Sequence, residues 1–206
     1  IPNPNQPIED IINQNDMEKI CKMCKTNGVL LVVDEAYHMF GSSTSINLAK
    51  KYDNVIILRT LSKSFGLPSI RFGYMVSSKM MISYFNLYRT SYETNFLTNT
   101  VVIFFLKRIN LIKSYIKEVK IGRDFLKSEL KKIGLKVIGG KSNFLLVVFN
   151  NLSITNKVYD HLEKKKIYVR GKYHDDLKKC LLITCGPKSI MTKVFYEIKF
   201  ILKKHK

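Results

Sequence analysis

Lys63 stands in the stretch "TLSKSFGLPSIRFGY", directly behind the apolar run "NVIILR". A lysine that ends an apolar strand, in a turn with Thr60, Ser62 and Ser64, is placed where its amine can act as a nucleophile. Thr60 and Ser62 add hydroxyls. Arg71, farther along the same stretch, offers a planar fork suited to a phosphate. Upstream, Asp34 follows "LLVV" and so leaves an apolar strand at its rim. A carboxylate in that setting needs a cationic or protonated partner. Tyr37 lies in the same segment and can present a phenol to the same place. A nucleophilic lysine, a carboxylate, a phenol and a phosphate cradle together suit pyridoxal phosphate. In that chemistry the lysine bonds the cofactor and the carboxylate pairs with the pyridinium nitrogen.

Parallel α/β sheets gather ligands outside the carboxyl ends of their strands. Four features fall at such ends: "PNPNQP", Asp34 through Tyr37, Thr60 through Lys63, and Arg71. The elements that carry them alternate in the manner of α/β units up to about residue 80. "DMEKICKMCKTNG" reads as a helix with a glycine stop. "VLLVVDEAY" and "NVIILRTL" are nearly continuous apolar strands, as expected when both faces are covered. "FGYMVSS" is a third strand. Residues 81–120 read as long helix, with an interruption near "TSYETN". The remainder is α+β: helix "GRDFLKSELKKIG", strands "KVIGG" and "SNFLLVVF", helix "TNKVYDHLEKKK", short strand "IYVRG", strand "CLLITCG" and a terminal helix.

The chain has 206 residues and is 46% hydrophobic, enough for a sizeable core. No run of about 18 apolar residues exists, so no membrane span is expected. The formal charge is +19, from 35 basic against 16 acidic residues. Nearly all of that excess is lysine spread along helices, where it forms a solvated face, and arginine is scarce. No nucleic-acid motif accompanies it, so no nucleic-acid partner is expected. "CKMC" has metal-like spacing, yet no second pair completes a zinc set, so no metal is expected. Cys21, Cys24, Cys180 and Cys185 read as thiols of a cytoplasmic protein. His38 follows Tyr37 without an evident partner, and His161, His174 and His205 read as solvent-facing.

"DEAY" followed by "SKSFGLPSIRFGY" resembles the fold-type-I, pyridoxal-phosphate-dependent aminotransferases of class I/II, above all the histidinol-phosphate aminotransferase group. "NPNQP" resembles that family's "NPNNPTG", and "NFLLVVF" and "IYVRG…CLLITCG" resemble its small-domain strands. The resemblance implies an α/β fold: the carboxyl-terminal part of a large domain over 1–95, with a mostly parallel sheet and flanking helices, and a small α+β domain over 96–206. It implies pyridoxal 5'-phosphate as cofactor. Lys63 would bond the cofactor and shuttle protons, Asp34 would keep the pyridine nitrogen protonated, and Tyr37 would bond the ring hydroxyl. Thr60, Ser62 and Arg71 would grip the phosphate. Arg170, in "YVRG", would contact the substrate's anionic group.

The activity implied is transfer of an amino group from an amino acid or amino-alcohol phosphate to a 2-oxo acid, by a cytoplasmic homodimer. Decarboxylation of the threonine-phosphate type, or an inactive fragment, are the alternatives. Two positions depart from the pattern. Asn5 and Gln6 stand where the family has Asn before Pro, and either amide could meet the ring; the family's "TG" is Ile8-Glu9. Leu182 stands where the family has an arginine that binds substrate, so histidinol phosphate is expected to be a poor substrate. The start on "IPNPNQP" and the absence of the family's earlier strands lead us to expect a carboxyl-terminal portion of a longer enzyme.

Overall fold

A computed structural model describes residues 1–205. It forms two compact units. The first holds Ile1–Gln6 and Asp10–Tyr115, and the second holds Pro7–Glu9 and the chain from Ile116 onward.

In the first unit, α1 (Gln14–Thr26) starts where the Asn13 side chain accepts the Asp16 N–H. It ends before Gly28, whose φ of +65° lets the chain turn toward the sheet. Then come β1 (Leu31–Asp34), α2 (Ile46–Lys51), β2 (Val55–Thr60), α3 (Leu61–Ser64), β3 (Gly73–Val76), α4 (Lys79–Asn86) and α5 (Phe96–Lys107). β1 and β2 pair in parallel, with Asp34 opposite Leu58. The start of the chain lies along β1: Asp34 N–H donates to the Ile1 carbonyl and Asn3 N–H to the Asp34 carbonyl, both at 2.9 Å.

Alternation along the strands sorts side chains onto two faces. On one face Leu31, Val33, Val55 and Ile57 are buried under Met17 and Cys21 of α1 and Leu48 and Ala49 of α2. Each fully buried aliphatic side chain there stabilises the unit by about 1.5–3 kcal/mol. The other face carries Asp34, Leu58 and Met75, which are register partners. It is open toward the rim, where Leu58 is 37% exposed and Met75 39%, and covered at Ile56.

β3 runs antiparallel to β2, beside the parallel pairing of β1 with β2. The physical reason is the connection. It folds into the four-residue α3 and a 3-10 turn at one end of the sheet, so Gly73 re-enters opposite Thr60. A parallel return needs a crossover to the far end. The helical region expected over 81–120 is three helices, parted at residues 87–95, where "TSYETN" led us to expect an interruption, and also at Arg108. Asn95 caps α5 by accepting the Thr98 N–H. The units divide after Tyr115, later than the 95/96 boundary expected. α5 belongs to the first unit because Val102 is buried there and the Thr98 hydroxyl donates to the Ile70 carbonyl at 3.3 Å.

The division falls inside α6 (Ile109–Lys132). The second unit continues with β4 (Lys136–Ile138), β5 (Phe144–Val148), α7 (Leu152–Lys164), β6 (Cys180–Thr184) and α8 (Lys188–Lys204). Its sheet, β4-β5-β6, is antiparallel throughout. Phe144 to Val147 and Cys180 to Ile183 are buried, together with Val158, Leu162, Met191, Val194 and Ile198 of the helices. The expected strand "IYVRG" shrinks to one bridge between Arg170 and Leu182. Lys166 and Lys172 flank it with φ of 59° and 55°, left-handed values that break an extended run. Among the described residues no helix is long and apolar enough to cross a membrane.

α6 presses on the chain before α8 at Gly122. A Cβ there would stand 2.0 Å from the Gly186 carbonyl oxygen, which is backbone and cannot swing away. Gly122→Ala would ordinarily strengthen a helix by about 0.5–1 kcal/mol. Here it is expected to lower the urea midpoint of the second unit, at a net cost of about 1–3 kcal/mol for overpacking. A midpoint at or above that of the parent would show that the contact yields.

Candidate functional site

The carboxyl ends of β1 and β2 bring most of the chemically capable residues to one rim of the first unit's sheet. Asp34 is the last residue of β1, and its Oδ1 accepts the Ala36 N–H at 3.0 Å, which turns the chain and aims the carboxylate. The carboxylate is exposed on the open face. Tyr37, 7% exposed, lies in the loop that follows. β2 ends at Thr60, which caps α3 by accepting the Ser62 N–H at 3.1 Å. The hydroxyls of Thr60 and Ser62 stand 3.0 Å apart. Lys63, on α3, holds its Nζ 5.7 Å from the centre of the Tyr37 ring.

Arg71 sits between α3 and β3 with φ 52°, a left-handed conformation uncommon for a residue with a side chain. It is exposed, and its Nη1 donates to the Pro68 carbonyl at 3.0 Å. The turn "NPNQP" leaves the same rim, because Asn3 is bonded to Asp34 through the backbone. Asn5 Oδ1 accepts the Asp10 N–H at 2.7 Å, while Gln6 is exposed. Asn3, which the sequence reading passed over, is 2% exposed and bonds Ile12 through both ends of its amide. It is the staple that holds the turn.

Arg170 belongs to the second unit. Its backbone exchanges two hydrogen bonds with Leu182, at 3.0 and 2.8 Å, and its guanidinium lies 5.6 Å from the centre of the Tyr173 ring. Leu182, on β6, is 4% exposed. Of the remaining polar residues, His161 is half-buried and bonded to Glu197 at 2.6 Å rather than solvent-facing. The cysteines are free thiols, and burial pushes Cys185 up to about 12. Among the described residues no cluster of His, Cys, Asp and Glu could hold a metal ion.

His38 has a partner in the structure. Its Nδ1 lies 2.9 Å from the Glu35 carbonyl. A carbonyl can only accept, so that nitrogen carries the proton. Burial, and then the Arg59 charge, hold His38 below its usual 6.5. The unfolded chain therefore binds a proton that the folded one resists. Stability contributed by neutral His38 is present above about pH 6.5 and is lost as the pH falls through and below that value. His38→Asn, whose amide can still donate to Glu35, is expected to flatten the fall in urea midpoint between pH 7 and 5.5. An unchanged slope would assign that fall to other groups.

The rim thus offers a primary amine, a carboxylate, a phenol, two hydroxyls and a guanidinium. Those groups can bond a carbonyl carbon, pair with a protonated ring nitrogen and hold a phosphate.

The chain is similar to proteins of one family. Residues 1–197 match the family described as aminotransferase class I and II. A histidinol-phosphate aminotransferase of Thermoanaerobacter pseudethanolicus is 38% identical over 169 residues, which are 82% of this chain and 46% of that protein. One from Ruminiclostridium cellulolyticum is 34% identical over 95% of this chain and 55% of its own length. The crystal structure of the histidinol-phosphate aminotransferase from Clostridium acetobutylicum superposes with a TM-score of 0.87 at 27% identity, covering 99% of this chain and 63% of that one. The chain spans about half the length of the curated relatives it matches.

Proposed function

This chain belongs to the class I and II aminotransferases, and on that premise we propose that the complete polypeptide transfers an amino group to a 2-oxo acid. The amino donor in this reading is an amino acid or amino-alcohol phosphate, and the cofactor is pyridoxal 5'-phosphate. The observation that carries it is the Lys63 amine held 5.7 Å from the Tyr37 ring centre, at the rim where Asp34 ends β1. The donor set fits the cofactor on its own chemistry. Lys63 would bond it, Asp34 would pair with the ring nitrogen, and Tyr37, with Asn5 or Gln6, would meet the ring hydroxyl. Thr60, Ser62 and Arg71 would hold the phosphate.

When bound, pyridoxal phosphate supplies an electron sink for charge that develops on the substrate's α-carbon. The chain's residues supply the rest. Asp34 would hold a proton on the ring nitrogen. Lys63 would carry a proton to and from the substrate's α-carbon. Tyr37, buried against Lys63, limits where that amine can go. Arg170 is the cation we assign to the substrate's anionic group. Leu182, buried across from it, adds no charge, so in this reading Arg170 meets that anionic group without a second cation from β6.

The reading includes a homodimer. Support comes from large apolar side chains left uncovered, among them Leu87 at 75% and Tyr92 at 93% exposed. Light scattering on the complete polypeptide checks it. The test of the activity is a panel of amino acids and amino-alcohol phosphates with 2-oxoglutarate, scored for transfer and for carbon dioxide. Stoichiometric transfer is the expected outcome. Carbon dioxide release without transfer would replace the reading with a decarboxylase.

A further inference from the structure

Glu35 is the second half of the "DE" pair, and its surroundings are the reverse of those of Asp34. Asp34 faces the open side. Glu35, one residue on, is 1% exposed. Four donors meet its two carboxylate oxygens. Oε1 accepts the Ser45 N–H in a short bond. Oε2 accepts the Thr44 hydroxyl at 2.7 Å, Arg59 Nε at 3.1 Å and Arg59 Nη2 at 2.9 Å. Arg59 Nη2 also lies 2.7 Å from the Thr44 hydroxyl oxygen, which closes the network. Removing a charge from water is costly, and so complete a set of donors is what makes this one tolerable.

The donors come from two pieces of chain, and both serve the rim. Thr44 and Ser45 close the loop that leaves β1, and that loop carries Tyr37. Arg59 immediately precedes Thr60, the cap of the helix that carries Lys63. Glu35 itself follows Asp34, and its backbone is held on both sides: its N–H donates to the Leu58 carbonyl, and its carbonyl accepts from His38. The carboxylate therefore ties together the end of β1, the Tyr37 loop and the end of β2.

We infer that Glu35 is a positioning residue, whose clamp on Thr44, Ser45 and Arg59 holds the Tyr37 ring against the Lys63 amine. The inference rests on the reading of Lys63 as the reacting lysine. A pair that merely stabilised the core could bridge any two elements. This one bridges the elements that end at Asp34, Tyr37 and Thr60.

The experiment uses the complete natural polypeptide, with Glu35→Ala, Glu35→Gln and Thr44→Val. Without cofactor, acetylation of Lys63 by acetic anhydride is measured against the other lysines of the same sample by mass spectrometry. With pyridoxal phosphate, the pH midpoint of the visible band of the lysine-bound cofactor is recorded. Glu35→Ala is expected to change relative Lys63 labelling at least threefold and to move the band's midpoint. Glu35→Gln keeps one oxygen acceptor, enough for the Thr44 and Arg59 side or for Ser45 but not for both. Its labelling is expected to fall between that of Glu35→Ala and that of the parent. Folded Glu35→Ala protein with parental labelling and band overturns the inference, and so does Glu35→Gln protein as altered as Glu35→Ala. Should Glu35→Ala fail to fold, Thr44→Val decides. It removes one donor without stranding a charge, and a shift in the same direction is expected; parental behaviour overturns the clamp. A parent protein that shows no band with pyridoxal phosphate overturns the cofactor reading, while the labelling arm still decides the role of Glu35.

Discussion

Borohydride reduction of the complete polypeptide with pyridoxal phosphate is expected to fix the cofactor to Lys63 and to no other lysine. The chain has many lysines, but most lie on helix surfaces as solvated charge. Lys63 is half-buried on α3, beside the paired hydroxyls of Thr60 and Ser62 and against the buried Tyr37. Lys63→Ala removes the only one of these groups that can bond the cofactor. Its turnover is expected to fall on the order of a thousandfold or more, because bond formation and the proton relay are lost together. Peptide mapping of the reduced protein reads the first claim and steady-state kinetics the second. A tag on another lysine, with Lys63→Ala still active, would dismantle the site as drawn.

Asp34→Asn is expected to separate chemistry from stability. The carboxylate is exposed, and its one internal bond, to the Ala36 N–H, can be made equally by an asparagine oxygen. The urea midpoint should therefore stay within the small range typical of surface substitutions, about 0.5 kcal/mol. The rate should not. A neutral amide cannot hold a proton on the ring nitrogen, and the electron sink weakens with it. A loss of roughly a thousandfold corresponds to about 4 kcal/mol of transition-state stabilisation. Near-parental turnover with bound cofactor would contradict the role of Asp34. A large loss of stability would mean that Asp34 serves the fold instead.

The residues at the rim were legible from the sequence, because each stands at the end of a run whose pattern is local. "LLVV" before Asp34 and "NVIIL" before Arg59 are continuous apolar stretches, and both became strands with buried side chains. Helix α1 announced itself by its glycine stop. The order of the motifs then sufficed to place the chain in its family, since order and spacing survive in a linear sequence. Partnerships did not survive in it. Nothing near Glu35 shows that its carboxylate is buried and met by Arg59, which is 24 positions away along the chain. The parallel register that sets Asp34 opposite Leu58 decides that, and register is a property of two strands together. The antiparallel return of β3 was hidden for a similar reason. An apolar strand reads the same in either direction, and only the course of the connection through α3 selects one. The helical stretch after residue 80 showed one break in its polar run "TSYETN", while the break at Arg108 left no such mark. The division between units after Tyr115 follows from which neighbours Thr98 and Val102 find in three dimensions.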